Sequence, residues 1–158
     1  GGSSSITWDL ITNSDTTPGT EFDQFVVGGA IDFAGATSFI LDFNGSGADG
    51  DVDWDNAFWD ADQAWTVYSG ATGLNNFGNL SLSNGTSVTD ASGEAFSASI
   101  RAGGRSFALN DDGNNITLNY TTAIPEPGTY GIFGLGLALF GWTARRRRKQ
   151  TTLSSEKE

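Results

Sequence analysis

Apolar and polar positions alternate in short runs through the first three-quarters of the chain. Ile6-Thr7-Trp8-Asp9-Leu10 alternates, and so do residues 22–27, 39–43 and 65–68. Further runs at 77–82, 95–100, 106–109 and 116–120 have the same character. A period of two sends successive side chains to opposite faces of a strand. The Thr, Val, Ile, Phe and Trp that fill these runs suit a pleated, half-buried surface. Clusters rich in Gly, Asn and Asp separate them at 15–19, 44–50, 84–85 and 110–114, where left-handed backbone and side-chain-to-backbone hydrogen bonds favour turns. Only residues 55–64 have the makings of a helical turn, and no helical period of useful length precedes residue 128. The pattern predicts an all-β body over residues 1–121. Two architectures accommodate such strands, the end of a parallel β-helix or an antiparallel β-sandwich, and spacing alone does not choose between them.

After this body the pattern changes. Residues 122–127 read as a linker containing Pro125, Glu126 and Pro127, whose prolines cannot continue a helix. Residues 128–144 hold seventeen positions without a charge, and Arg145, Arg146, Arg147, Arg148 and Lys149 follow at once. Seventeen helical residues cover roughly 25 Å, slightly less than a hydrocarbon core. Snorkelling of flanking residues or local thinning of the bilayer absorbs the shortfall. The expectation is one short C-terminal transmembrane helix at 128–144 with a basic tail at 145–158. The cations are retained on the cytoplasmic side, so the body is expected outside it.

Charge sharpens this division. Up to residue 124 the only cations are Arg101 and Arg105, against sixteen acids, a balance of −14. Such a body has nothing with which to neutralise phosphates, which excludes nucleic acid as a partner. It suits a soluble, cation-binding exterior. The chain contains no Cys and no His. Disulfides, thiolate nucleophiles and Ser-His-Asp triads are therefore unavailable, and the reading is of a non-enzyme. The sequence opens Gly1-Gly2-Ser3-Ser4-Ser5, with no leader in view. An exported chain needs one, so this sequence is expected to be the C-terminal end of a longer precursor.

The ordered set of Pro125-Glu126-Pro127, a short apolar span and Arg145–Arg148 resembles the PEP-CTERM sorting signal of exported bacterial proteins, over about 25 residues. It departs from that pattern in the extension Gln150–Glu158. The resemblance implies that the chain is a substrate of an exosortase, an integral-membrane Cys protease/transpeptidase that removes the tail. It also implies transient anchoring in the inner membrane and a final place at the cell surface or in the extracellular matrix. The body has a resemblance of its own. The runs 22–29, 31–35, 39–43, 65–70 and 77–82 look like the last rungs of the passenger β-helices of proteins with autotransporter-associated β-strand repeats. That resemblance implies a parallel β-helix end, with the 106–120 segment as a terminal hairpin protecting open strand edges.

Three candidate sites stand in the body. Asp49, Asp51, Asp53 and Asp55 alternate, and Asp60 lies eleven residues after Asp49. The spacing is that of an EF-hand loop, in which hard oxygen ligands wrap Ca²⁺. Trp54 stands where that loop wants Gly, and Asp60 is one carbon shorter than the usual bidentate Glu. The competing reading is a solvated acidic loop with Trp54, Phe58 and Trp59 folded onto the core. Secondly, Trp54, Trp59 and Trp65 form either a stacking platform for an extracellular polysaccharide or part of the core. Thirdly, Asn44, Asn79, Asn84 and Asn115 each begin a glycosylation sequon, which a chain this rich in Ser, Thr and Asn also produces by chance.

Overall fold

The structure, a computed structural model, describes residues 3–47, 50–99 and 103–122. By internal contacts the chain divides into Gly1–Ala123 and Ile124–Glu158. The expected linker beyond Thr122, the span 128–144 and the basic tail 145–158 lie outside the described residues. Among the described residues no helix is long and apolar enough to cross a membrane.

The described body is all-β. Its longer strands are β1 (Ser4–Asp9), β4 (Thr37–Asp42), β7 (Gln63–Ser69), β10 (Ser106–Asp111) and β11 (Ile116–Thr121). Between them lie the short strands β2 (Phe25–Val26), β3 (Ile31–Asp32), β5 (Ser46–Gly47), β6 (Gly50–Asp51), β8 (Leu74–Asn75) and β9 (Leu80–Leu82). One sheet runs β1-β4-β9 and is parallel throughout. A second runs β10-β11-β7-β2, antiparallel except for its β2–β7 pair. Two small ladders, β3-β8 parallel and β5-β6 antiparallel, complete the set.

A single interval organises three of the four parallel pairs. Phe25 faces Tyr68, Ile31 faces Leu74 and Thr37 faces Leu80. Beyond β9 the same 43-residue interval continues from Leu41 to Asn84. Residues 25–42 therefore lie along residues 68–85 as one turn of chain upon the next, on three successive sides. β1 lies on the other side of β4, at an interval of 33 residues. Where strand pairing lapses, side-chain amides continue it. The Asn84 amide takes the Leu41 N–H on its oxygen and donates to the Leu41 carbonyl, both at 2.8 Å. The Asn79 amide donates to the Phe33 carbonyl at 2.7 Å. Asn76, held at a left-handed φ of 55°, donates to the Asp32 carboxylate at 2.7 Å.

The core is aromatic. Trp8, Trp54, Trp59, Trp65, Tyr120, Phe39 and Phe43 are fully buried. Phe43 lies at the middle, 6.2 Å from Trp8, 5.7 Å from Trp54 and 6.1 Å from Trp59 between ring centroids. Tyr and Trp need a partner for their polar end when buried, and each buried indole has one. Trp54 donates to the Glu94 carbonyl, Trp59 to the Asn13 side-chain oxygen and Trp65 to the Ser14 carbonyl, each at 2.8 Å. Trp8 donates to the Asp23 carbonyl. The Tyr120 hydroxyl donates to the Trp59 carbonyl at 3.0 Å. These bonds join the N-terminal loop, the acidic loop and the hairpin.

Four parallel pairs rule out the wholly antiparallel sandwich. The parallel arrangement is itself partial, because the β10–β11 hairpin lies antiparallel on the edge of β7 that β2 does not use. Local corrections follow from the same contacts. The run 95–100 is a 3₁₀ turn at Phe96–Ala98 instead of a strand, with Phe96 buried against Trp54 at 5.1 Å; Ile100 lies outside the described residues. The run 77–82 begins as a 3₁₀ turn, Phe77–Asn79, before β9. The expected helical turn appears at Ala57–Asp60, capped by the Asn56 side-chain oxygen on the Phe58 N–H at 2.9 Å. Segment 44–50, read as a turn, carries the β5–β6 ladder.

Candidate functional site

The acidic loop is tied down by one asparagine. The Asn13 amide donates to the Asp51 carbonyl at 2.8 Å, and its oxygen accepts from the Asp53 N–H at 3.2 Å as well as from Trp59. The Asp53 carboxylate accepts the Asp55 N–H at 2.8 Å, closing a turn two residues long. Between these two acids Trp54 points into the core. Asp60 lies 4.0 Å from the Arg105 guanidinium. Asp53 and Asp60 thus serve separate partners, and Asp49 lies outside the described residues. Among the described residues no three carboxylates gather as metal ligands. The alternating spacing matched a loop wrapped around an ion. Trp54 and Trp59 are folded onto the core, as the competing reading of the loop expects.

The same burial removes the tryptophan platform, since Trp54, Trp59 and Trp65 expose none of their surface. The four sequon asparagines also have structural partners. Asn44 donates to Asp42 at 2.8 Å and Asn115 to Asp112 at 2.9 Å, while Asn79 and Asn84 bridge adjacent turns of chain.

Several polar residues that the sequence does not single out do organise the body. Asp90 is 2 % exposed. Its carboxylate accepts from the Ser92 N–H at 3.0 Å, the Ser92 hydroxyl at 2.7 Å and the Glu94 N–H at 2.9 Å, fixing the segment that receives the Trp54 indole. Glu21 gathers the hydroxyls of Ser14 and Thr16 and the Thr17 N–H. These donors, the Ser14 hydroxyl above all, hold its carboxyl below the usual range. Asp9 is shifted the other way, by burial first and then by Asp23 and Asp42. The Asp-x-Ser and Asp-x-Asn spacings are the only sequence signal for such turns.

At the C-terminal end of the body, Asp62 performs the corresponding task. Its Oδ1 accepts the Thr122 N–H at 2.7 Å and the Thr122 hydroxyl at 2.8 Å. The two bonds hold its carboxyl below the usual carboxylate range, the backbone donor contributing most. The last described residue is therefore fixed, directly ahead of the segment with the charge asymmetry.

That segment is where comparison with known proteins succeeds. Residues 123–148 match the PEP-CTERM protein-sorting motif. Pro125, Glu126, Pro127, Arg145, Arg146, Arg147 and Arg148 all fall inside the match, and all lie outside the described residues. No curated protein and no solved structure matches the chain, so the resemblance of the body to autotransporter repeat proteins has no support from a relative. A motif of this class implies export and processing by an exosortase. The chain thus carries, immediately after the residue fixed by Asp62, a PEP-CTERM protein-sorting motif.

Proposed function

We propose that this chain is the non-catalytic C-terminal region of an exported surface or extracellular-matrix protein, and that its tail is a transient inner-membrane anchor removed by an exosortase. The observation that carries the reading is the match at 123–148, with Pro125-Glu126-Pro127, seventeen uncharged residues and four arginines in that order. The apolar length and the basic block support a single span with the body on the non-cytoplasmic side. The lack of His and Cys supports a structural role over hydrolysis. The stacking of residues 25–42 on 68–85 at a constant interval supports the end of a parallel β-helix, closed by the antiparallel hairpin β10–β11.

Mass spectrometry of the mature C-terminus tests processing. In a host with an exosortase, the exported protein is expected to lack the residues after about Pro127. In a host without one, the tail persists and holds the protein in the membrane. Intact Gln150–Glu158 on the exported protein of an exosortase-bearing host overturns the reading. A second reading, a polysaccharide-binding module with the same tail, is favoured by one observation in the body: the outward positions Ala64, Thr66, Ala108, Asn110, Thr117 and Asn119 of β7, β10 and β11 carry no charge.

A further inference from the structure

The ladder between β7 and β11 ends at its last register pair, Gln63 with Tyr120. On the other edge of β11, the ladder with β10 ends at Ser106 and Thr121. Pairing cannot run on through the sorting segment, because Pro125 and Pro127 have no N–H to give a ladder. Three residues, Thr122, Ala123 and Ile124, stand between the last paired position and Pro125. One of the three is tied down. The Asp62 carboxylate, one position ahead of β7, accepts the N–H and the hydroxyl of Thr122 on Oδ1, at 2.7 and 2.8 Å.

Turn closure does not account for this pair of bonds. Asp42, Asp53 and Asp112 spend their carboxylates on donors two or three residues away. Asp62 is exposed and reaches across 60 positions to the last described residue. Its effect falls on chain length. Measured from Thr121, the extended chain reaches Pro125 across about 14 Å, and measured from Thr122 across about 10 Å. The tie to Asp62 therefore withholds roughly a quarter of the unpaired chain ahead of the motif.

We infer that Asp62 is a positioning residue for processing: by holding Thr122 to the body it keeps the unpaired chain ahead of Pro125-Glu126-Pro127 short, and so slows capture of the motif by the exosortase. The inference rests on the exosortase reading of residues 123–148. A peptidase takes its substrate as extended, unpaired chain, and a segment tied to a folded body becomes available only when the tie opens. An integral-membrane enzyme adds a second demand, since the unpaired chain must span the distance from its site to the edge of the folded body. A tie of two exposed hydrogen bonds opens without unfolding the core, so capture draws on the open population while the body stays folded.

Pulse-chase labelling of the full-length protein in an exosortase-bearing host tests the assignment, with the ratio of anchored to processed chain followed over time. Asp62→Ala is expected to be processed faster than the parent by roughly two- to tenfold, the weight of one or two exposed hydrogen bonds. Asp62→Asn keeps an acceptor oxygen for Thr122 and is expected to stay near the parental rate. Insertion of Gly-Ser-Gly-Ser between Ala123 and Ile124 leaves Asp62 in place and is expected to speed processing at least as much as Asp62→Ala. An Asp62→Ala rate at or below that of the parent overturns the inference. Equal acceleration by Asp62→Asn and Asp62→Ala assigns the effect to charge and also overturns it. Acceleration by Asp62→Ala without acceleration by the insertion assigns the effect to a loosened fold, with the same consequence. Export of every form with no processing of any removes the exosortase reading itself, whereas processing of every form at one rate removes this inference alone.

Discussion

The stacked turns, residues 25–42 on 68–85, and the closing sheet, β7 with β11 and β10, share a strand but are held together by different means. Apart from β4 and the end of β7, the stack uses strands of two or three residues, and it completes its ladder with the side chains of Asn76, Asn79 and Asn84. The closing sheet uses strands of six and seven residues whose inward positions feed the aromatic core. In the first, polar bonds keep a repeating path in register. In the second, burial of large side chains supplies the cohesion and backbone pairing follows from it.

Removing one side chain from each region separates the two modes. The largest effect is expected from Trp59→Ala. Trp59 is fully buried and touches Phe43, Trp54, Trp65, Phe107 and Tyr120. Its truncation should cost about 3–5 kcal/mol, read as a lower midpoint in urea. An effect below that of Asn84→Ala would break the comparison. Asn84→Ala comes next, at about 1–3 kcal/mol, because it leaves both polar groups of Leu41 without their partner. Hydrogen exchange sharpens the point: protection should fall at Leu41 while β11 keeps its own.

Asp62→Ala should have a smaller effect, because this carboxylate is exposed. Its folded pKa is depressed. Its contribution is therefore complete above the unfolded carboxylate range and is lost as pH falls through the folded value. Stability curves of parent and variant should differ at neutral pH and converge in acid. Separation that persists in acid would assign the effect to packing instead. Smallest of all is the expected response to Ca²⁺. With Asp53 turned to the Asp55 N–H and no three-carboxylate group among the described residues, unfolding midpoints in EDTA and in millimolar Ca²⁺ should coincide. A Ca²⁺-selective rise abolished by Asp51→Ala would bring the loop back as a metal site.

The same contrast explains what could be read in the sequence. β1, β4, β7, β10 and β11 are legible because alternation over four or five residues is enough to mark a strand with one buried face. β8 is not legible, since two residues carry no period and its pairing depends on a partner 43 positions away. Asn84 illustrates the difficulty: as Asn84-Gly85 it reads as a turn, and its bridging of Leu41 emerges only when the turns of chain are stacked. The sorting segment was legible because its information is linear, a motif, a span and a charge block in order. The acidic loop is the opposite case. Acid spacing does not say which N–H each carboxylate will meet, whereas the burial of Trp54 and Trp59 was legible as the competing reading of the same loop.

The bond between Asp62 and Thr122 also has a mechanical meaning. β11 lies between β7 and β10, so tension applied along it from its C-terminal end is carried by two ladders at once, in shear instead of by peeling one bond at a time. Asp62 takes the first share, through two hydrogen bonds on a single oxygen. Behind it the Tyr120 hydroxyl, anchored on the Trp59 carbonyl, resists slippage of the strand. Resistance to such a pull is governed by the rate of unfolding, and the strand nearest the sorting segment is also the one pinned most firmly to the core.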